Sequence, residues 1–185
     1  FPIWLKINTG MNRLGFDIHE LDQAYRAVRK FSNSLRLMTH FANAHSRNNL
    51  SVCEQAEKFF KATEHHKEEK TLSNSGAIFG HPNLHAEWVR PGIALYGVSP
   101  FSKGIGSDLN LRPVMSMTSK LIAVRRIQAG SKVGYGEDYT SSKDQLIGVV
   151  AIGYGDGYPR QAMSKATVKI KGCESKVISV PMDMT

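Results

Sequence analysis

The chain has little cysteine and no long apolar run, and each absence excludes a class of protein. Only Cys53 and Cys173 occur among its 185 residues, far apart and without a CxxC pair. Neither a disulfide framework nor a zinc site is indicated, and we expect two reduced packing residues. No stretch approaches the ~20 apolar residues that span a bilayer, and no signal-peptide pattern opens the chain. We therefore predict a cytoplasmic protein that does not contact membranes.

The net charge of +8 raises the question of a nucleic-acid partner. The basic residues are scattered, the helical candidate from 64 to 70 mixes both signs, and no RNP, zinc-finger or helix-turn-helix signature occurs. We predict no nucleic-acid partner, and instead a solvated basic surface with a site for an anionic ligand. The histidines stand at no metal-ligand spacing, so no metal is predicted.

Strand and helix patterns alternate over the first hundred or so residues. Strand candidates run over 1–8, 35–42 and 93–98, and helices begin at the capping boxes Asp17/Glu20 and Ser51/Glu54. Apolar residues recur at helical spacing after each box. Strands that alternate with single helices imply parallel strands joined by crossovers, as in a barrel or a doubly wound sheet.

After Pro113 the pattern changes to short β-rich runs between turns, at 114–127, 145–154, 166–170 and 175–180. No helical stripe of useful length remains there, and we predict a domain boundary near residue 108. Residues 1–7 and 177–185 read as strands that lack partners, which predicts that the chain is an internal fragment.

Several strings carry residues suited to chemistry. LKINTGMNRLGF places Lys6 at the end of a strand and Arg13 in the next loop, on the side that faces the active site of a barrel. MTHFANAH places His40 after the second strand. SNSG and VRPGIALYG follow, and small hydroxyl and glycine residues at a strand-to-helix turn leave backbone N–H groups available for a phosphate. KVGYG, AIGYGDGYPR and a terminal Met-Asp lie in the β-rich part.

These strings, in this order, resemble the alanine racemase family, and the similarity runs nearly end to end. The resemblance implies an α/β protein with the later part of a (β/α)8 TIM-type barrel over 1–108 and the start of a mainly β C-terminal domain over 109–185. It implies interconversion of L- and D-alanine with pyridoxal 5′-phosphate, which supplies D-alanine for peptidoglycan. It also implies a homodimer whose active site is shared between the barrel and the β domain of opposite subunits.

By the resemblance, Tyr135 is the catalytic acid/base and Lys6 is a candidate for carbamylation, which would let it pair with Arg13. The implied cofactor-binding residues are His40, Asn74, Ser75, Arg90, Gly92 and Ile93, and the implied substrate-binding residues are Arg13, Tyr154, Met182 and Asp183.

Arg90 would face the pyridine nitrogen of the cofactor, with His40 on its other side. A guanidinium stays protonated, so the ring nitrogen opposite it must remain an unprotonated acceptor. The ring then withdraws electrons less strongly than a pyridinium, which favours racemisation over transamination.

The family's cofactor-binding lysine, which is also its second base, would lie upstream of residue 1, so we expect residues 1–185 alone to be inactive. A racemase for another amino acid, or a decarboxylase of the same architecture, is the alternative; decarboxylases favour an acidic partner at the ring nitrogen, and Arg90 argues against them. A non-catalytic cofactor carrier would lack the β domain with Tyr135.

Overall fold

A parallel sheet forms the amino-terminal part of the computed structural model, which describes residues 1–185. Its strands are β1 (Ile3–Asn8), β2 (Phe16–Asp17), β3 (Leu35–Met38), β4 (Lys70–Asn74) and β5 (Trp88–Arg90). They lie in the order β2-β1-β3-β4-β5, and every neighbouring pair is parallel. This topology confirms the predicted α/β class.

Three helices connect the strands: α1 (Leu21–Arg29), α2 (Ser51–Ala62) and α3 (Ser75–Gly80). The predicted capping box of Asp17 and Glu20 lies at a 3-10 helix, Ile18–Glu20, that leads into α1, and the Asp17 backbone N–H donates to the Glu20 carboxylate at 2.9 Å. None of the helices combines the length and the apolar character that crossing a lipid bilayer requires.

The core lies between one face of the sheet and the helices. Leu5 and Ile7 of β1 are buried there with Leu37 of β3, against Ala56 and Phe59 of α2. Because successive side chains of a strand point to opposite faces, Trp4, Lys6 and Asn8 of β1 lie on the other face. That second face carries the charged groups from which the site is built.

The predicted strand at 93–98 is wrong. The strand ends at Arg90, and Ile93–Tyr96 is a 3-10 helix that follows Pro91 and Gly92. Proline has no N–H to donate to a ladder, so the sheet stops before the apolar run. The helix ends at Gly97, whose φ of +81° suits glycine. A Cβ at Gly97 would lie 2.2 Å from the carbonyl oxygen of Arg112, which excludes larger residues.

Two further expectations about the first hundred residues are wrong. Ser51 does not cap α2: Leu50 occupies the N-cap position, and the Ser51 N–H donates to the side chain of Asn49 at 3.0 Å. Residues 64–70 form no helix, and strand β4 begins at Lys70 instead. Strand β4 is difficult to predict from the sequence because two of its buried side chains, Thr71 and Ser73, carry hydroxyl groups. The usual signal of a buried strand is an apolar pattern.

Antiparallel pairs build the carboxyl-terminal part. Its strands are β6 (Leu121–Ile127), β7 (Lys132–Val133), β8 (Tyr139–Thr140), β9 (Gln145–Val150), β10 (Thr167–Ile170) and β11 (Cys173–Lys176). β6 pairs with β9, β7 with β8 and β10 with β11. The strands are shorter than the predicted runs 114–127, 145–154 and 175–180. In the last case the Lys171-Gly172 turn sets the hairpin so that Lys176 is its final paired residue.

The chain divides into two units, Phe1–Ser116 and Met117–Thr185.

Both cysteines are free and exposed, so the expectation that they are packing residues is wrong. No three His, Cys, Asp or Glu side chains converge in an arrangement that could hold a metal ion.

Replacement of Phe59 by alanine tests the placement of the core. The Phe59 ring is fully buried, so Phe59→Ala should lower the free energy of unfolding by about 3–5 kcal/mol, measured by urea denaturation. Phe60→Ala is the matched control, because the neighbouring ring is 39 % exposed. Equal losses from the two substitutions would contradict this placement of α2.

Candidate active site

Arg90 is the last residue of β5, and a register shift between β4 and β5 orients its side chain. β5 pairs with β4 through Thr71 and Trp88 and through Asn74 and Arg90, with a register shift between the two pairs. A shift of this kind leaves backbone groups of the longer strand without ladder partners. The carbonyl of Leu72 lies inside the shifted stretch, and it accepts a hydrogen bond from Arg90 Nη2 at 3.1 Å.

Neutral acceptors hold the Arg90 guanidinium. Its Nε donates to Thr71 Oγ1 at 3.1 Å, its Nη1 to His40 Nδ1 at 3.0 Å, and its Nη2 to the carbonyl of Thr39 as well as that of Leu72. A guanidinium has five N–H donors, so one N–H on Nη1 remains for a further acceptor. No carboxylate forms an ion pair with Arg90, and burial lowers its pKa.

His40 is a neutral acceptor in this arrangement. Arginine can only donate, so His40 Nδ1 carries a lone pair and its proton lies on Nε2. Burial lowers the pKa of His40 to about 4, and the positive charges of Arg90, Lys6 and Arg13 act in the same direction. The imidazole therefore remains uncharged at neutral pH.

Lys6 lies on the same face of the sheet, beside these cations. Its pKa is lowered by burial first, and then by the charges of Arg13 and Arg90. Neither Lys6 nor Arg13 forms an ion pair with a carboxylate. Four basic side chains thus share one region of the first unit without a compensating anion.

A cavity of about 340 Å³ opens beside Arg90. It is lined by His40, Ala42, Ala44, His45, Asn74, Ser75, Gly76, Arg90, Gly92, Ile93, Ser99 and Pro100. Its volume falls within the range of about 300–1,000 Å³ that is typical of small-molecule sites.

Ser75 organises one wall of the cavity. Its hydroxyl oxygen accepts from the backbone N–H of Gly92 at 2.8 Å and from that of Ala94 at 3.3 Å. The backbone N–H of Ile93 lies between these two bonded groups. The hydroxyl hydrogen of Ser75 and the first N–H groups of α3 are further donors, because the first turn of a helix leaves its N–H groups without helical partners.

Asn74 and Gly76 shape the same wall. The Asn74 side chain accepts from the N–H of Ala77 at 3.1 Å and donates to the carbonyl of Phe41 at 3.2 Å, so its amide caps α3 and ties it to a neighbouring loop. A Cβ on Gly76 would lie 2.5 Å from the carbonyl oxygen of Ala44. Only glycine permits this close approach.

The second unit contains a cavity of its own, of about 350 Å³. It is lined by Tyr135, Asp138, Tyr154, Arg160, Ser179, Val180, Pro181, Met182 and Asp183. Tyr135 is 82 % exposed and follows Gly134, where φ is +89° and a Cβ would lie 2.5 Å from Ser179 Oγ. The phenol is therefore presented at the surface by a turn that requires glycine.

Tyr154 and Met182 are fixed by direct backbone contact. The N–H of Tyr154 donates to the carbonyl of Pro181 at 3.0 Å, and the N–H of Gly155 donates to that of Met182 at 2.7 Å. The Arg160 guanidinium carbon lies 5.7 Å from the centre of the Tyr154 ring, a cation–π geometry.

The predicted site residues therefore fall into two groups. His40, Asn74, Ser75, Arg90, Gly92 and Ile93 line the first cavity, and Tyr135, Tyr154, Met182 and Asp183 line the second. Lys6 and Arg13 line neither, although their charges act on His40.

Sequence reasoning missed other residues at both cavities. Thr39 and Thr71 hold Arg90, and Thr39 directly precedes His40 in the MTHF string, which is a signal that could have found it. Arg160 ends the GYGDGYPR string and could have been found in the same way. Asp138 and Ser179 have no local signal, because the chain brings them together through turns.

Family models match both parts of the chain. The model of the alanine racemase N-terminal domain covers residues 1–100, and that of the alanine racemase C-terminal domain covers residues 114–185. The chain belongs to the alanine racemase family. Alanine racemase of Shewanella loihica is 44 % identical over 98 % of the chain.

Solved alanine racemase structures have the same fold. The biosynthetic alanine racemase of Pseudomonas aeruginosa matches 99 % of the chain with a TM-score of 0.90 at 36 % identity. A Bartonella henselae alanine racemase, solved with covalently bound pyridoxal phosphate, matches with a TM-score of 0.75 at 29 % identity. These matches confirm the predicted partial barrel followed by a mainly β domain. The chain spans about half the length of these relatives, 52 % of the Shewanella protein and 52 % of the Pseudomonas one.

The low pKa of His40 predicts a pH dependence of stability. Its folded value of about 4 lies below the ~6.5 of an unfolded histidine, so the unfolded chain binds more protons between these values. The contribution of His40 to the free energy of unfolding should therefore fall as the pH drops from ~6.5 to ~4. Urea denaturation across this range should show a smaller slope for His40→Asn than for the wild type. An identical slope would show that His40 titrates normally in the folded chain.

Proposed function

We propose that the protein of which these residues form part is an alanine racemase that uses pyridoxal 5′-phosphate to interconvert L- and D-alanine. The observation that carries the proposal is Arg90, a partly buried guanidinium held by neutral acceptors with one N–H left free at the cavity. A free donor at that point suits an unprotonated pyridine nitrogen. Family membership and the relatives named above support the same activity.

The first cavity fits a phosphorylated pyridine ring. The Ser75 hydroxyl hydrogen and the backbone N–H of Ile93 offer donors suited to a phosphate, and Arg90 offers a donor suited to a ring nitrogen. When bound, the cofactor supplies an electron-withdrawing ring that makes the α-proton of an attached amino acid acidic. His40 keeps Arg90 in place without adding charge, because its Nδ1 accepts from Nη1. Asn74 would act through the capping of α3.

Tyr135 is proposed to move the proton on one face of the substrate's α-carbon. Its exposed phenol can reach a reacting group that enters the second cavity, where Asp183 and the Met182 backbone lie ready for the substrate. Tyr154, restrained by Arg160, is proposed to line the route by which alanine enters. Racemisation needs a base on each face, and the family resemblance places the second one, a lysine, outside residues 1–185.

The two sets of groups are proposed to act together in a homodimer, in which the β domain of one subunit completes the barrel site of the other. Each unit carries only one set, cofactor-binding groups in the first and Tyr135 in the second. The exposure of the Tyr135 side chain is consistent with this role.

Tyr135→Phe tests the catalytic assignment. We would extend the chain to family length at both ends with residues of the Shewanella loihica relative and measure D-alanine formation from L-alanine. Loss of the phenolic proton should reduce turnover by about 10²–10⁴-fold, the usual contribution of a general acid–base group. Absorbance of the bound cofactor should not change. Tyr158→Phe is the control, and turnover by Tyr135→Phe equal to that of the control would refute the role of Tyr135. Residues 1–185 alone should be inactive.

Lys6 is proposed to be carbamylated. Burial and two neighbouring cations lower its pKa, which favours the neutral amine whose nitrogen attacks carbon dioxide with release of a proton. The carbamate anion would accept hydrogen bonds from Arg13 and compensate the cluster of cations. Incubation with ¹³C-labelled carbon dioxide should give a carbamate carbon resonance in the wild type that Lys6→Arg lacks. A resonance of equal intensity in Lys6→Arg would assign the modification to another lysine.

A further inference from the structure

Both tryptophans of the chain lie in one cluster with Arg36 and Glu69, which we call the tryptophan cluster. The rings of Trp4 and Trp88 meet edge to face with centroids 6.1 Å apart. The Arg36 guanidinium carbon lies 5.4 Å from the centre of the Trp4 ring and 4.8 Å from that of Trp88. The Glu69 carboxylate accepts from Arg36 Nε at 2.6 Å and from Trp88 Nε1 at 2.8 Å.

The tryptophan cluster lies next to the site on the same face of the sheet. Trp4 precedes Lys6 by two residues on β1, and Trp88 precedes Arg90 by two residues on β5. Residues two apart on a strand share a face. The cluster therefore lies two residues along the strands from Lys6 and Arg90, toward the amino-terminal ends of the strands.

Backbone pairing alone holds β5 weakly. The strand has three residues and forms two register pairs with β4, one on either side of the shift. Side chains fasten it on both sides of the shifted stretch. Arg90 binds Thr71 and the carbonyl of Leu72, while Trp88 binds Glu69, the residue directly before β4.

We propose that Trp88 and Glu69 are positioning residues that lock the register of β5 and thereby hold the free N–H of Arg90 at the cavity. Glu69 acts as the anchor, because it directly precedes β4 and its carboxylate binds both Arg36 and Trp88. Hydrogen bonds from Arg36 and then Trp88 lower the pKa of Glu69, so the anchor stays ionised at neutral pH. Only the cofactor measurement below depends on the proposed function.

Trp88→Phe and Trp4→Phe form a matched pair for the test. Both keep an aromatic ring in the cluster, but only Trp88→Phe removes a donor to Glu69. The readout is the ¹⁵N–¹H resonance of Arg90 Nε in the 185-residue chain, assigned by its absence in Arg90→Lys. We expect hydrogen exchange at this group to accelerate at least about tenfold in Trp88→Phe and to change less than about twofold in Trp4→Phe, since the bond to Thr71 shields it only when β5 is in register. Equal exchange rates in the two variants would overturn the proposal.

Glu69→Ala is the second variant, with Glu57→Ala on α2 as its control. Glu69 is half-exposed and Glu57 exposed, so neither change opens a cavity in the core. Circular dichroism verifies the fold of each variant. Should Trp88→Phe fail to fold, faster Arg90 exchange in Glu69→Ala than in Glu57→Ala still supports the proposal, and equal exchange overturns it.

Binding of pyridoxal phosphate to the chain extended to family length gives an independent readout, followed through the absorbance of the bound cofactor. The Kd should rise about tenfold in Trp88→Phe and Glu69→Ala, equivalent to about 1.4 kcal/mol, and stay within about twofold in Trp4→Phe and Glu57→Ala. Unchanged affinity in the first two variants would overturn the proposal. A wild-type chain that binds no cofactor would instead count against the proposed function, while the exchange measurement would still decide the role of the cluster.

Discussion

The site depends on one partly buried cation that has no carboxylate partner. Arg90 is held by the Thr71 hydroxyl, the His40 ring and the backbone carbonyls of Thr39 and Leu72, all of which accept without neutralising its charge. A guanidinium bound only by neutral groups keeps its electrostatic influence for whatever enters the cavity. Burial lowers the pKa of His40 and of Lys6, and the charge of Arg90 acts in the same direction, so both neighbouring groups favour their neutral forms.

A register shift between β4 and β5 orients the Arg90 side chain. A regular parallel ladder would pair the carbonyl of Leu72 with the neighbouring strand, whereas the register shift between β4 and β5 leaves it to Arg90. The short helix α3 begins directly after β4 and brings Ser75 and Gly76 to the cavity wall. The end of one buried strand thus organises both the guanidinium and the donors suited to a phosphate.

Much of the fold could be predicted from the residues because its signals are local. The α1 entry follows from the Asp17/Glu20 pair, and the core face of α2 follows from apolar residues at helical spacing. Strand β4 could not be predicted in this way, because its buried residues include hydroxyls whose partners lie on other elements, such as the Ser73 bond to the carbonyl of Leu84. The strand prediction for residues 93–98 was wrong because their apolar content is typical of a strand. Pro91 and Gly92, which precede them, end the pairing of β5 with β4.

The sequence by itself determined the family and the identity of the chemical groups, because linear strings such as VRPGIALYG and GYGDGYPR carry them in order. Only the tertiary structure decided how those groups are poised: that His40 accepts from Arg90, that Asn74 is committed to capping α3, and that Trp88 and Glu69 meet beside the site. The physical reason is that protonation state and hydrogen-bond direction depend on burial and on partners far away along the chain. Such contacts between distant residues leave no mark on local composition or periodicity.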